Sequence, residues 1–300
     1  MNDRQKDRLG HLTALITITI WGATFISTKI LLVDFTPVEI LFCRFLLGFA
    51  ALIAAFPHRL KNTGLRRELT FAAAGLCGIT LYYLLENIAL TFTQASNVGV
   101  IVSAAPFFTA LLSRIFFPSE EHLHKSFFFG FFIAMAGIIL ISFSGTRLHL
   151  NPKGDLLAVT AAVVWAFYSV LTKKINSYGY HTVQTTRRIF AYGILFMVPA
   201  LFLFGFHPDF SRFAYPPNLL HMLFLGLGAS ALCFVTWSLA VKALGVVRTS
   251  VYIYMVPLIT VLLSVIVLGE RITWISALGT ALILTGLFFS SGSGKNKRKS

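Results

Sequence analysis

Three ionisable side chains stand inside long apolar runs of this sequence: Lys29, Arg44 and Glu86. Keeping a charge at the centre of a membrane helix costs about 2.5–3.5 kcal/mol, so each marks a place for an ion pair, a proton relay or a contact to a charged solute. A helical rise of 1.5 Å per residue puts the three within about 5 Å of one another in depth. They read as one charge group at the mouth of a pathway. Within it Glu86 has two uses: it can neutralise a cation and lock two helices together, or it can serve as a protonatable or substrate-contacting gate. An ion pair that opens would do both.

Tyr82, Tyr83 and Asn87 share the run that carries Glu86, and Ser103, Trp237, Tyr252 and Tyr254 stand on others. Together with Glu86 they are candidates for lining an aromatic, sparsely polar cavity, although Tyr and Trp also collect at membrane interfaces. Pro106 and Pro257 fall in mid-run. Each removes a helical hydrogen bond and frees a carbonyl, which is tolerated against protein or a water-lined cavity. They are candidate hinges, with a plain packing kink as the alternative.

Other chemistries lack their residues. There is no Gly-x-x-x-x-Gly-Lys-Ser/Thr loop to cradle phosphates and no His-Glu-x-x-His pair to hold a metal. The histidines lie mostly in loops or at run ends, as at His58, His122, His124, His149, His181 and His207. Cys43, Cys77 and Cys233 have neither metal-site spacing nor a disulfide pattern. No cofactor, metal or catalytic set is expected, and the chain does not read as an enzyme.

The elements that must position these residues are membrane helices. Hydrophobic residues make up 56% of the 300 and charged ones only 12%, about half the charged share of a soluble domain. Runs of about 20 apolar residues are long enough to cross a bilayer. The breaks between them predict ten helices over 11–32, 38–56, 69–92, 97–116, 126–144, 154–174, 187–206, 219–241, 247–269 and 273–291. The first follows a charged N-terminal segment with no small-residue cleavage site, so it reads as a helix that stays. Two junctions, near Gln94-Ala95-Ser96 and Leu244-Gly245-Val246, are predicted as tight turns.

Ten crossings bring both termini to one side. Of the 25 Lys and Arg residues, 17 then fall with the termini, while only Arg147, Lys153, Arg212 and Arg271 fall in the opposite loops. The positive-inside rule makes the termini cytoplasmic. The same distribution accounts for the net charge of +14 without nucleic acid. Lys173 and Arg188, near the cytoplasmic interface, read as topology anchors that snorkel to water.

An internal repeat is also visible. An offset of 144 carries Trp21 onto Trp165, Lys29 onto Lys173 and Arg44 onto Arg188. At 151, Gly75, Ala89 and Pro106 match Gly226, Ala240 and Pro257, and at 149, Glu121, Gly130 and Gly137 match Glu270, Gly279 and Gly286. The chain therefore reads as all-α integral membrane, with two five-helix units, 1–145 and 146–300, the second ending in a basic cytoplasmic tail. Five is odd, so the units would have inverted topology, an arrangement suited to alternating access. Trp237 takes the place of Glu86 in the second unit. The paired glycines mark close-packing helix faces, within each half or in a homodimer.

Trp-Gly-Ala-Thr-Phe from Trp21 and Glu-Asn-Ile-Ala-Leu-Thr-Phe-Thr-Gln-Ala-Ser from Glu86, with Pro106 beyond, resemble the EamA-type transporters of the drug/metabolite transporter superfamily. Ala-Leu-Gly-Val-Val-Arg-Thr-Ser, Tyr-Met-Val-Pro-Leu and Leu-Gly-Glu-Arg continue the likeness in the second half. The resemblance implies a multi-pass carrier of the bacterial inner membrane, often an exporter of amino acids, other metabolites or toxic compounds. It also implies a central cavity lined mainly by helices three, four, eight and nine. The expected function is secondary transport of a small organic metabolite, such as an amino acid or a hydrophobic or cationic compound. A proton or counter-substrate would drive it, lipid would surround it, and a passive channel or facilitator is the alternative.

Overall fold

The computed structural model describes residues 3–60, 63–92, 95–118, 125–143, 151–207, 209–259, 263 and 274–292. Several residues singled out in the sequence lie outside these: Gln94, Glu121, His122, His124, Arg147, His149, Glu270, Arg271 and the basic tail from Lys295 to Lys299. The described residues are helices joined by short turns. Six helices are long and apolar enough to cross a membrane: α1 (Asp3–Leu31), α2 (Pro37–Ala55), α3 (Leu65–Phe92), α7 (Pro152–Asn176), α8 (Thr182–Leu203) and α9 (Pro216–Leu244). Further apolar helices among the described residues are α4 (Ala95–Val102), α5 (Ala105–Phe116), α6 (Lys125–Phe143), α10 (Val246–Ile259) and α11 (Trp274–Gly292). The chain is an all-helical, multi-pass membrane protein.

Local chemistry sets the helix ends. Thr36 caps α2 in a reciprocal box: its hydroxyl accepts from the Glu39 amide, and the Glu39 carboxylate accepts from the Thr36 amide, with Pro37 opening the first turn. Asn151 caps α7 through its side-chain oxygen, again with a proline at the start. Gly245 divides α9 from α10 at a φ of 86°, a left-handed conformation that residues with a Cβ avoid.

Two helices change pitch in mid-span. In α3, residues Leu76–Leu81 form a π-turn, and in α9 residues Phe224–Leu232 do the same. The run predicted as one helix over 97–116 is two. It stops at Val102 and restarts at Ala105, with Pro106 in the first turn of α5. Pro106 therefore opens a helix instead of kinking one, because a residue with no N–H sits without loss where the amide has no partner. Pro257 follows a 3-10 stretch, Val251–Tyr254, within α10.

Helices pack in crossed pairs. α1 lies on the second part of α9, α3 lies on α7, and α2 and α8 each pack against a π-turn, that of α9 and that of α3 respectively. The tightest contact is between α6 and α11. A Cβ on Gly130 would lie 2.6 Å from the Gly286 carbonyl oxygen, and one on Gly137 would lie 2.5 Å from that of Gly279. The two helices therefore run antiparallel at backbone contact, where small residues allow dispersion to act over a long seam. This corrects the expectation that these faces brace one half or bind a second copy. They pack against each other across the two predicted units.

At the end of the bundle where α1 leaves and α2 begins, Arg212 reaches Glu39 with two bonds, of 3.0 and 3.1 Å, and also donates to the Asp34 and His207 carbonyls. The paired Glu39 carboxylate, through that hydrogen bond, holds the Arg212 guanidinium more firmly protonated than usual. Asn218 donates to Asp34 beside it. At the other end Arg188 pairs with Glu68 at 3.2 Å, and Arg187 donates to the Phe56 and His58 carbonyls.

Gly130→Ala is expected to lower stability by about 1–3 kcal/mol through overpacking at the α6–α11 seam. Gly228→Ala, whose new Cβ would meet nothing closer than 3.7 Å, serves as the control and should be near neutral. Thermal unfolding in detergent distinguishes the two.

Candidate functional site

The bundle holds a partly open cavity at middle depth, between α1, α3, α4, α7 and α10. α1 contributes Trp21, Thr24 and Phe25, and α3 contributes Tyr82, Tyr83 and Glu86. The break between α4 and α5 exposes Gly99, Val102 and Ser103, while Trp165 of α7 and Ile253 and Val256 of α10 close the ring. Non-helical backbone at this depth is tolerated because it borders the cavity and not lipid.

Five of the twelve lining residues carry aromatic rings. Trp21 and Trp165 meet edge to face with centroids 5.2 Å apart. Tyr82 lies 4.8 Å from both Tyr83 and Trp165. Behind them Trp237 is fully buried, 5.2 Å from Trp21 and 6.0 Å from Trp165, and its indole N–H has no partner among the described residues. These are edge-to-face and tilted contacts, which ring quadrupoles favour over face-to-face stacking.

Glu86 is the one ionisable carboxylate on the wall. The Tyr82 hydroxyl and the Arg44 guanidinium are the groups that act on it. One of its oxygens, Oε2, is buried with no hydrogen-bond partner among the described residues. Arg44 is equally buried but does not line the cavity. Its guanidinium lies 4.5 Å from the Tyr83 ring centroid, and its Nε donates to Ser230 at 3.0 Å.

The structure thus brings Tyr82, Tyr83, Glu86 and Ser103 together on the wall and leaves other predicted residues elsewhere. Asn87 is buried and donates to the Pro37 carbonyl at 3.3 Å, fastening α3 to the start of α2. Tyr254 packs in a separate cluster with Phe127, Ile138 and Ile283. The Tyr252 hydroxyl meets His11. Lys29 is exposed on α1 and is not among the groups acting on Glu86, because it lies on the outer face of its helix while Trp21 and Phe25 turn inward. Sequence reasoning missed Trp21 and Trp165 as wall residues. Their matched positions, 144 residues apart, were the available signal.

Toward the N-terminal end of α1, polar side chains link the helices. Thr17, about 6 Å down the helix from Trp21 at 1.5 Å per residue, shares a 2.6 Å hydrogen bond with Thr236. Asn176 and Ser238 exchange two bonds of 3.0 Å, and His11 meets Tyr252. These contacts tie α1 to α9 and α10, and α7 to α9.

A family of known transporters matches this chain twice. The EamA-like transporter family takes in residues 8–143 and again 152–292. An uncharacterized transporter of Archaeoglobus fulgidus is 29% identical over 287 residues, covering 94% of this chain and 96% of its own. A protein of Escherichia coli named "probable amino-acid metabolite efflux pump" is 26% identical over 94% of this chain and 95% of its own. One of Streptantibioticus cattleyicolor, "probable terminal-alkyne amino-acid exporter", is 25% identical over 91% and 90%. A crystal structure with 21% identity superposes with a TM-score of 0.75 over 96% of this chain and 98% of its own, which speaks to fold alone. With two matches that together take in nearly the whole sequence, this chain belongs to the EamA-like transporter family.

Proposed function

We propose that this transporter is a secondary carrier that exports a small organic solute across the bacterial cytoplasmic membrane by alternating access. The observation that carries the reading is the mid-depth cavity, lined by repeat-matched tryptophans and with polar cross-links between helices on one side. In this reading the chain makes ten crossings as two inverted five-helix units, 1–145 and 146–300. Support comes from equivalent elements meeting crosswise: α1 on α9 mirrors α7 on α3, the antiparallel pair α6 and α11 are counterparts, and Trp21 touches Trp165. The π-turn of α3, moved by 151 residues, also falls within that of α9. The two separate family matches agree with the division.

The charge bias makes the N-terminal end cytoplasmic, so the cross-linked side faces inward and the cavity is nearer the outer mouth. Helix breaks at Ser103-Ala104 and Val251–Tyr254 would be the joints about which Pro106 and Pro257 let half-helices move. Export agrees with the names of the exporter and the efflux pump among the relatives. A proton or a counter-substrate supplies the driving force.

The test is counterflow in liposomes. Protein preloaded with one solute should accelerate uptake of its labelled analogue and saturate with concentration. Conductance without saturation or exchange would instead mark a passive channel. A second expectation concerns the cross-linked side. Tyr252→Phe removes one neutral hydrogen bond, worth about 1 kcal/mol, and should shift the population roughly fivefold toward opening at that end. The alkylation rate of a cysteine placed at the buried Ser169, in a background lacking the native cysteines, would report the shift. An unchanged rate means that His11 and Tyr252 are not part of the closure.

A further inference from the structure

We infer that the solute is recognised as an amine, its ammonium held by Glu86 within the box of Trp21, Tyr82, Tyr83 and Trp165, and that a carboxylate on the adjacent carbon is rejected. The inference rests on the carrier reading and narrows it.

Four observations lead there. First, Glu86 is only 7% exposed, lines the cavity, and keeps a buried oxygen with no hydrogen-bond partner among the described residues. A buried acceptor of this kind is costly to leave unmade, so a ligand that donates to it gains more than a surface contact would.

Second, the cation nearest to Glu86 in character is held back from the cavity. Arg44 is fixed by Ser230 and by the Tyr83 ring, so it balances the carboxylate's charge without covering the wall. A ligand ammonium can therefore approach Glu86 from the cavity while Arg44 stays behind Tyr83.

Third, the surrounding wall is rich in aromatic rings. Rings in contact at 4.8–5.2 Å, as Tyr82, Tyr83, Trp165 and Trp21 are, form the kind of enclosure that favours ammonium groups, especially alkylated ones, through the ring quadrupole. The remaining wall, Phe25, Val102, Ile253 and Val256, suits an apolar body attached to the amine.

Fourth, among the described residues none that lines the cavity is Lys, Arg or His. A carboxylate on the ligand would face Glu86 with no such cation to receive it. The box therefore separates an amine from the corresponding amino acid, which is a different preference from the one in the names of the two amino-acid exporters among the relatives.

The experiment uses the full chain in lipid nanodiscs, with intrinsic tryptophan fluorescence as the readout, because Trp21 and Trp165 border the ligand. Phenethylamine and benzyltrimethylammonium should quench saturably, and phenylalanine should bind at least tenfold more weakly than phenethylamine. Glu86→Gln should weaken phenethylamine at least tenfold. If that variant unfolds, Trp21→Phe provides the second arm and should weaken benzyltrimethylammonium several-fold more than phenethylamine. Phenylalanine binding as tightly as phenethylamine, Glu86→Gln retaining phenethylamine affinity, or folded wild-type protein binding neither amine would each overturn the inference. Counterflow separates it from the reading beneath: exchange of an amino acid or an anion but not of amines sinks the amine preference and leaves the carrier standing. Amine binding without exchange of any solute sinks the carrier instead.

Discussion

Hydrocarbon supplies no hydrogen bonds, so each polar group this chain carries into the membrane must find its partner in the chain or in whatever enters the cavity. The threonines show the economical answer. Thr13, Thr17, Thr160, Thr249 and Thr285 each donate to a carbonyl four residues back on the same helix. Such bonds hide the hydroxyl while leaving the helix surface free for packing. Thr17 does this and also shares a bond with Thr236 on another helix, and that is where a neutral polar pair links α1 to α9. Other groups are left over. Among the described residues ten buried side chains have an unpartnered polar atom, and four of them, Arg44, Glu86, Trp165 and Trp237, stand on the cavity wall or directly behind it.

The two halves match at some positions and differ at others. Trp21 and Trp165 correspond in sequence, and their rings touch. Glu86 and Trp237 correspond in position but not in chemistry. One brings a carboxylate to the wall and the other a buried indole behind it. Arg44 and Arg188 diverge in the same way: the first is sealed in at 2% exposure, while the second is half-exposed and paired with Glu68. On the carrier proposal, that asymmetry of charge would let a bound solute favour one of two conformations.

Much of this was legible in the residues. Apolar run length predicted α2 over 38–56 and the structure has it over Pro37–Ala55; the run over 154–174 became Pro152–Asn176. Such spans follow from hydropathy and from capping residues close in sequence, both local properties. Tyr82, Tyr83, Glu86 and Ser103 were recognisable as wall residues because their types are out of place in lipid. Lys29 was misplaced for a physical reason. Depth can be read from helical rise, but the direction a side chain points around the helix depends on which face is packed, and that is a tertiary property. The break at Ser103-Ala104 was hidden because Pro106 is compatible with a kink and with a helix start alike, and only the neighbouring packing separates the two. Trp237 sits behind the wall because Trp21 and Trp165 fill the space in front of it, a fact of three helices at once.

The π-turns of α3 and α9 carry a consequence for how such a wall could arise. A π-turn holds one residue more than the α-turns around it, so it rotates everything beyond it by about 100° about the helix axis. In α3 the rotated part begins at Tyr82 and includes Glu86, so the orientation of the acid toward the cavity depends on a single extra residue upstream. The π-turn of α3, moved by 151 residues, falls within that of α9, so the acid at position 86 and the indole at 237 both stand just beyond such a turn and are aimed by it.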